Sequence, residues 1–89
     1  MLGVLIEVRT FRLADGVDDA TFLVADTEAQ ARAHFARGIV RRTTARDADG
    51  RWLVLTSWYD AEHADRHTTD PLAPLITDEQ VDRYVDIGG

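Results

Sequence analysis

The sequence predicts an α+β fold whose elements follow the order β-α-β-β-α-β. Three observations lead to this prediction. Residues 18–37 are rich in alanine and space their apolar residues as a helix does. Two runs of β-branched and aromatic residues flank an Asp-Gly pair at positions 49–50. A strand-like run lies near each end of the chain, and a second, shorter helical pattern precedes the last of these runs.

The first strand is predicted over residues 4–13, which end at an Ala-Asp-Gly turn signal. The first helix follows over residues 18–37, with Asp18 or Asp19 as its N-cap. Gly38 comes directly after it, where a left-handed C-cap belongs. One stripe of this helix is predicted to face the core, and it consists of Phe22, Ala25, Ala29, Ala33 and Ala36.

Residues 39–46 and 51–59 predict two antiparallel neighbouring strands, because Asp49-Gly50 supplies the positive φ of a tight turn. Side chains of a strand alternate between its two faces, so on the second of these strands Trp52 and Trp58 share one face and Leu53 lies on the other. Both faces of the strand therefore carry large apolar side chains that need cover. We expect Trp58 to be buried by the helices or by a partner sheet.

The second helix is predicted to begin at Ala61 after an Asp60 cap and to end or kink at Pro71 and Pro74. The last strand is predicted over residues 81–87. Two βαβ halves fold most simply as a ferredoxin-like unit, a four-stranded antiparallel sheet with two helices on one face. With 89 residues, the chain is expected to be one domain over residues 1–89.

Two strand segments, residues 4–6 and 52–55, are apolar on both faces, although a sheet with helices on one side and water on the other should alternate. We therefore expect a second copy of the sheet to cover the free face, which gives a homodimer with a dimeric α+β barrel between its subunits. The alternative is that a few apolar side chains are simply exposed.

Composition excludes several classes of function. The chain has no cysteine, so disulfides, thiolate metal sites and cysteine nucleophiles are ruled out. We expect a cytoplasmic location, because there is no signal-peptide pattern and no apolar run approaches the ~20 residues of a membrane span. The net charge of −6 argues against a nucleic-acid partner. The central arginines are expected to point to solvent or to acidic neighbours, and a phosphate-binding strand is the alternative; they are Arg37, Arg41, Arg42, Arg46 and Arg51.

Residues 38–46, residues 49–55 and Ser57-Trp58 before an acidic helix start resemble the dimeric α+β barrel superfamily of antibiotic biosynthesis monooxygenase-like proteins. The resemblance implies a pocket between sheet and helices, which in different relatives oxidises polyketide-like aromatics without a cofactor, degrades haem, or cyclises and isomerises small substrates. The haem-degrading branch uses an asparagine on the first strand and a tryptophan and a histidine on the second helix. Here the first strand has Glu7, the second helix has no tryptophan, and the chain contains no asparagine.

Four residues are candidates for proton transfer: Asp26, His34, His63 and His67. A histidine facing a pocket suits proton abstraction near neutral pH, and a carboxylate at the edge of an apolar pocket can act as acid or base. Each has an alternative role. Asp26 can pair with Arg42 or Arg46, His34 can complement the helix dipole, and the other two histidines can be solvated or share a metal with Asp70. We expect no metal.

Trp58, Phe22 and Arg42 are candidates for substrate contacts, although aromatic residues are by default core residues in a small protein. The resemblance implies a small monooxygenase-like protein that acts on an aromatic or polyketide-type metabolite without metal or organic cofactor. The alternative is a non-catalytic dimer that binds a small molecule or serves a stress response. An open cavity with a titratable group favours the enzyme, and a fully packed centre favours the alternative.

Overall fold

The computed structural model describes residues 4–67 and 70–88. Its elements are β1 (Leu5–Leu13), α1 (Asp19–Phe35), β2 (Ile39–Arg46), β3 (Trp52–Trp58), α2 (Ala61–Arg66), a short 3₁₀ turn (Ala73–Leu75) and β4 (Ile76–Val85). The four strands form one antiparallel sheet in the order β2-β3-β1-β4. The predicted βαββαβ order and antiparallel sheet are confirmed.

Both helices pack on the same face of the sheet. Phe22 of α1 belongs to a buried cluster with Trp52, and Ala64 of α2 belongs to a second buried cluster with Trp58. Trp52 and Trp58 lie on the same side of β3, because side chains six residues apart on a strand share a face. We call this the helix face of the sheet. The expected burial of Trp58 is confirmed, and of the two covers considered, the helices provide it.

The opposite side of the sheet carries a row of half-buried aliphatic side chains, and neither helix of the described residues covers it. We call it the open face, and its centre consists of Ile6, Val8, Leu53 and Leu55. Its strands pair so that Val8 lies opposite Leu55, which places the apolar residues side by side in the middle of the sheet.

The boundaries of α1 follow from its caps. The Asp18 carboxylate accepts the Thr21 backbone N–H at 2.8 Å, which confirms the N-cap. The helix ends at Phe35, slightly earlier than predicted, because Ala36 is already extended. Gly38 has the expected positive φ of 92°, but it serves a close contact: a Cβ there would lie 2.5 Å from the Cβ of His63. Gly38 therefore lets α2 approach the start of β2.

Two predicted boundaries are wrong. The second helix ends at Arg66 and does not reach Pro71, and the last strand begins at Ile76 rather than at residue 81. Asp70 accounts for the first difference, since its carboxylate accepts the Leu72 backbone N–H at 3.1 Å and forms a turn instead of a helix. The early start of β4 comes from its pairing with the end of β1, where Ile76 lies opposite Leu13.

No helix among the described residues is long and apolar enough to cross a bilayer.

Candidate functional site

A cavity of about 370 Å³ lies between the helix face of the sheet and the two helices. It separates the two buried clusters, because Val54 and Leu72 of one cluster and Trp58 and Ala64 of the other contribute to its walls. Its volume is within the range of roughly 300 to 1,000 Å³ that is typical of small-molecule sites. The centre of the fold is therefore not fully packed.

Trp58 forms one wall of this cavity at the end of β3. The residue is only 3 % exposed, and its ring centroid lies 5.2 Å from that of His67, with the ring planes inclined by 56°. The indole Nε1 is buried and has no hydrogen-bond partner among residues 4–67 and 70–88. A buried donor without an acceptor costs free energy, roughly 1 to 3 kcal/mol, which a ligand with a suitable acceptor would recover.

A polar row crosses the whole sheet on the cavity floor. Arg42 lies opposite Thr56, Thr56 lies opposite Glu7, and Glu7 lies opposite Arg83, so each of the four strands contributes one residue. All four line the cavity. Thr56 is buried, although it is polar, because it shares the helix face with Trp52 and Trp58.

Arg9 and its two carboxylate partners form a second polar wall. Its guanidinium donates to Asp70 at 2.8 Å and to Glu79 at 2.6 Å. Burial alone would lower the pKa of Arg9, but the hydrogen bonds and charges of Asp70 and Glu79 outweigh burial and raise the pKa above its ordinary value. The pair with Asp70 fixes the turn that follows α2 against β1.

Arg83 bridges the floor and the rim of the cavity. It donates to Asp65 at 2.8 Å and to Glu7 at 3.2 Å. The hydrogen bond that Arg83 donates to Asp65 raises the pKa of Arg83 most, and burial lowers it; the hydrogen bond to Glu7 and the charges of both carboxylates add to the increase, so the pKa lies above its ordinary value. The Arg83 charge is therefore shared between a central and a peripheral carboxylate.

Solved structures of other proteins share this architecture. The cofactor-independent oxygenase SnoaB from Streptomyces nogalater superposes with a TM-score of 0.82 at 18 % identity, over 98 % of this chain and 96 % of SnoaB. A Caulobacter crescentus protein provisionally assigned as an antibiotic biosynthesis monooxygenase gives a TM-score of 0.81 at 15 % identity, over 98 % of this chain and 92 % of the other. A Nitrosomonas europaea protein with the same provisional assignment gives 0.77 at 15 % identity, over 94 % and 99 %.

This chain has the antibiotic biosynthesis monooxygenase-like fold. No family model and no curated protein sequence matches it, so the likeness is one of structure. The resemblance inferred from the sequence is thereby confirmed at the level of the fold.

Three of the predicted site residues line the cavity of this monooxygenase-like fold: Trp58, Arg42 and His67. Arg42 is held in place by the Asp26 carboxylate, to which it donates at 2.8 Å, and by the Gln30 side chain, to which it donates at 3.1 Å. His67 is the C-terminal cap of α2, and its backbone N–H bonds the Ala64 carbonyl at 3.2 Å. These three residues come from β2, β3 and the end of α2, so only the folded chain brings them together.

Phe22 and Asp26 lie outside the cavity lining. Phe22 is fully buried in the core, with its ring centroid 4.5 Å from that of Trp52. The Asp26 carboxylate forms an ion pair with Arg42 in which the side chains are only 13 % and 7 % exposed, and it also accepts the Thr44 hydroxyl at 2.9 Å. Asp26 therefore forms the ion pair with a strand arginine that the sequence offered as the alternative to proton transfer.

The other two histidines also lie outside the cavity lining. His34 is on the exposed side of α1, edge-on to Phe35 with ring centroids 5.1 Å apart. His63 Nδ1 lies 2.7 Å from Asp60 Oδ1, and the same oxygen accepts the His63 backbone N–H at 2.9 Å. That backbone N–H, together with the ring, lowers the pKa of Asp60. These contacts tie His63 to the cap of α2.

The alternative metal site of His63, His67 and Asp70 is not assembled. It required one continuous helix, but α2 ends at Arg66 and Asp70 bonds Arg9 instead. Within residues 4–67 and 70–88 no three potential ligands among His, Cys, Asp and Glu come together.

Glu7 and Arg9 line the cavity although neither is among the predicted site residues. A signal for both exists, because they share the parity of Leu5 and Phe11, the two buried residues of β1. Polar residues on the buried face of a strand indicate a polar site within the core. Arg83 carries no such signal, since its role depends on the register of β4 against β1.

Proposed function

We propose that the chain is a monooxygenase-like enzyme that binds an aromatic or polyketide-type metabolite in the cavity and oxidises it with molecular oxygen, without a metal or organic cofactor. The observation that carries the proposal is the open cavity walled by Trp58, whose buried Nε1 lacks a partner among the described residues and whose ring lies against His67. The fold shared with SnoaB, a cofactor-independent oxygenase, supports the same class of reaction.

The chemistry requires an acidic C–H or O–H group on the substrate. A base removes that proton, and the resulting carbanion or phenolate is electron-rich enough to reduce O₂ directly. Oxidation of a CH₂ group next to an aromatic ring then follows CH₂ + O₂ → C=O + H₂O, with one oxygen atom in the product and one in water. The substrate supplies all the electrons, so the balance needs no external reductant.

His67 and Trp58 have suitable places for two roles in this reaction. Imidazole is the side chain that most often transfers protons near neutral pH, and His67 lines the cavity. The Trp58 N–H can donate a hydrogen bond to the carbonyl oxygen on which negative charge develops, an interaction that is strongest in a buried site. Both groups act on the substrate from the same wall.

Oxygen consumption tests the proposed reaction. Anthrone is a suitable probe, since it has a CH₂ group conjugated through its rings to a carbonyl and is oxidised to anthraquinone. We expect the chain to accelerate O₂ uptake above the spontaneous rate in metal-free buffer, with one atom of ¹⁸O₂ entering anthraquinone. His67→Gln and Trp58→Phe should each lower the rate by about tenfold or more. Ligand binding without any acceleration would contradict catalysis and favour the non-catalytic small-molecule-binding dimer.

We further propose that two copies pair through the open face. Ile6, Val8, Leu53 and Leu55 form a continuous apolar patch there, and the helices occupy only the other face. Light scattering at micromolar concentration should give about 20 kDa, which is twice the chain mass of 10.0 kDa. Leu55→Asp should shift the mass toward the monomer, whereas a monomer mass for the unaltered chain would remove the proposal.

A further inference from the structure

The arginines of the cavity are already neutralised. Four arginines line it, and each forms an ion pair with at least one carboxylate: Arg9 with Asp70 and Glu79, Arg32 with Glu28, Arg42 with Asp26, and Arg83 with Glu7 and Asp65. Four of these six carboxylates, namely Glu7, Asp65, Asp70 and Glu79, line the cavity as well, so the arginine and carboxylate charges of its described lining balance. An anionic ligand would therefore have to break an existing pair, because each lining arginine already has a carboxylate partner.

Glu7 is the carboxylate at the centre of the floor. Its side chain is 17 % exposed, whereas Asp65, which pairs with the same arginine, is 64 % exposed at the rim. Glu7 Oε2 accepts the Arg83 Nε–H at 3.2 Å, and Oε1 accepts no hydrogen bond from residues 4–67 and 70–88. A charged acceptor with one oxygen unused thus lines the cavity next to the Thr56 hydroxyl.

Trp58, in the wall beside this floor, provides an independent second contact point. Leu5 lies opposite Trp58 and Glu7 lies opposite Thr56, so Glu7 and Trp58 are diagonal neighbours on adjacent strands. Such neighbours are separated by roughly 7 to 8 Å, a distance that an aromatic ring with its substituents can span. Among the described residues, the cavity therefore offers an acceptor oxygen without a hydrogen bond at Glu7 and a donor without a partner at Trp58.

From this arrangement we infer that Glu7 determines the specificity of the cavity: it accepts a hydrogen bond from a hydroxyl group of the ligand, so that the site takes an uncharged phenolic ligand and rejects the carboxylated analogue. The inference rests on the proposed small-molecule site and names its ligand class. Hydrogen bonds to a charged acceptor are about twice as strong as neutral ones, so Glu7 favours a phenolic hydroxyl, whereas its charge repels a carboxylate.

The unaltered chain provides the first test. 1-Naphthol and 1-naphthoate carry the same two rings, but at neutral pH the first is an uncharged phenol and the second is an anion. Isothermal titration calorimetry should give an affinity for 1-naphthol about tenfold or more above that for 1-naphthoate. Equal affinities, or a preference for 1-naphthoate, would overturn the inference and leave the proposed function standing. Binding of neither probe would overturn both.

Glu7→Gln provides the second test, because it keeps the size of the side chain and removes its charge. We expect 1-naphthol to bind several-fold more weakly and 1-naphthoate about tenfold more tightly than in the unaltered chain. A purely structural role of Glu7 would weaken both ligands alike, and that result would overturn the inference.

Asp65→Asn is the matched control, since it removes one carboxylate from the same arginine, Arg83, at the exposed rim. We expect the preference for 1-naphthol to change by less than about threefold. If Asp65→Asn increased the affinity for 1-naphthoate as much as Glu7→Gln did, the release of Arg83 would be responsible, and the role assigned to Glu7 would be wrong.

Discussion

Replacement of Trp58 separates the packing role of the indole from the role of its N–H group. Trp58 is 3 % exposed and packs in one cluster with Leu5, Ala64 and the partly buried Ile39. Truncation of a large buried aromatic residue costs about 3 to 5 kcal/mol. Part of the indole faces the cavity, where fewer packing contacts are lost, so we expect Trp58→Ala to cost about 3 kcal/mol, at the lower end of this range.

Trp58→Phe should be much milder. It keeps an aromatic ring in the cluster and removes a buried donor that has no partner among the described residues, whose cost is about 1 to 3 kcal/mol. That gain offsets most of the lost volume, so we expect a net change within about 1 kcal/mol. Trp52→Phe is the control. Trp52 packs against Phe22 with ring centroids 4.5 Å apart and lies under Arg46, so its replacement should cost more.

Equilibrium urea denaturation at one fixed protein concentration measures these differences, because coupled association makes apparent stability depend on concentration. A loss below about 1 kcal/mol for Trp58→Ala would refute the burial of the indole. A loss for Trp58→Phe equal to that for Trp58→Ala would refute the claim that the N–H is unsatisfied.

Three further predictions concern stability. Gly38→Ala should lower the free energy of unfolding clearly more than Gly16→Ala in urea denaturation. Both glycines have a positive φ, which costs an alanine about 1 to 2 kcal/mol, but only at Gly38 would the new Cβ also meet His63. Equal losses would contradict that contact. Asp26→Ala should lower the free energy of unfolding by about 3 to 5 kcal/mol, because it leaves Arg42 buried without its carboxylate partner. It should change the affinity for 1-naphthol less than Glu7→Gln does. A variant that stays stable but no longer binds 1-naphthol would instead indicate that Asp26 contacts the ligand. Backbone N–H groups of Thr21, Arg51 and His63 lower the pKa values of Asp18, Asp47 and Asp60. These folded-state pKa values lie below the unfolded ones, so the stabilisation that they contribute is present above about pH 4 and is lost as the pH falls through the folded values. Asp47→Asn should therefore show a shallower loss of stability in acid denaturation than the unaltered chain. An unchanged acid profile would contradict this.

Local signals were sufficient for most of the fold. The Asp-Gly turn has Gly50 at a φ of 82°, and the Asp47 carboxylate accepts the backbone N–H groups of residues 49 and 51, all within one hairpin. The predicted stripe of α1 is correct from Phe22 to Ala33, which are buried at helical spacing, whereas Ala36 lies beyond the end of the helix. Elements whose bounds depend on distant residues were predicted less well. The polar start of β4 is a strand only because it pairs with β1, a contact that the local pattern does not reveal.

The candidate site was predictable in the same partial way. Trp58 and His67 were identified because an aromatic residue at a strand end and a histidine on a helix are informative on their own. The place of Arg83 on the cavity floor depends on the register of β4 against β1, which the local sequence does not reveal. Glu7 and Arg9 differ, because their parity with the buried Leu5 and Phe11 is a local signal for a polar site. Asp26 was selected for its position near the apolar stripe, but its ion pair with Arg42 is a contact between helix and sheet.

The central claim is that a small aromatic ligand occupies the cavity walled by Trp58. The chain has only two tryptophans, so a ¹H–¹⁵N spectrum shows two indole signals, which Trp58→Phe assigns. During titration with 1-naphthol the Trp58 indole signal should shift, because its Nε1–H gains an acceptor or a new ring neighbour, while the signal of Trp52, packed in the core against Phe22, should stay in place. Saturation with no shift of the Trp58 signal, or a shift of the Trp52 signal alone, would contradict the account.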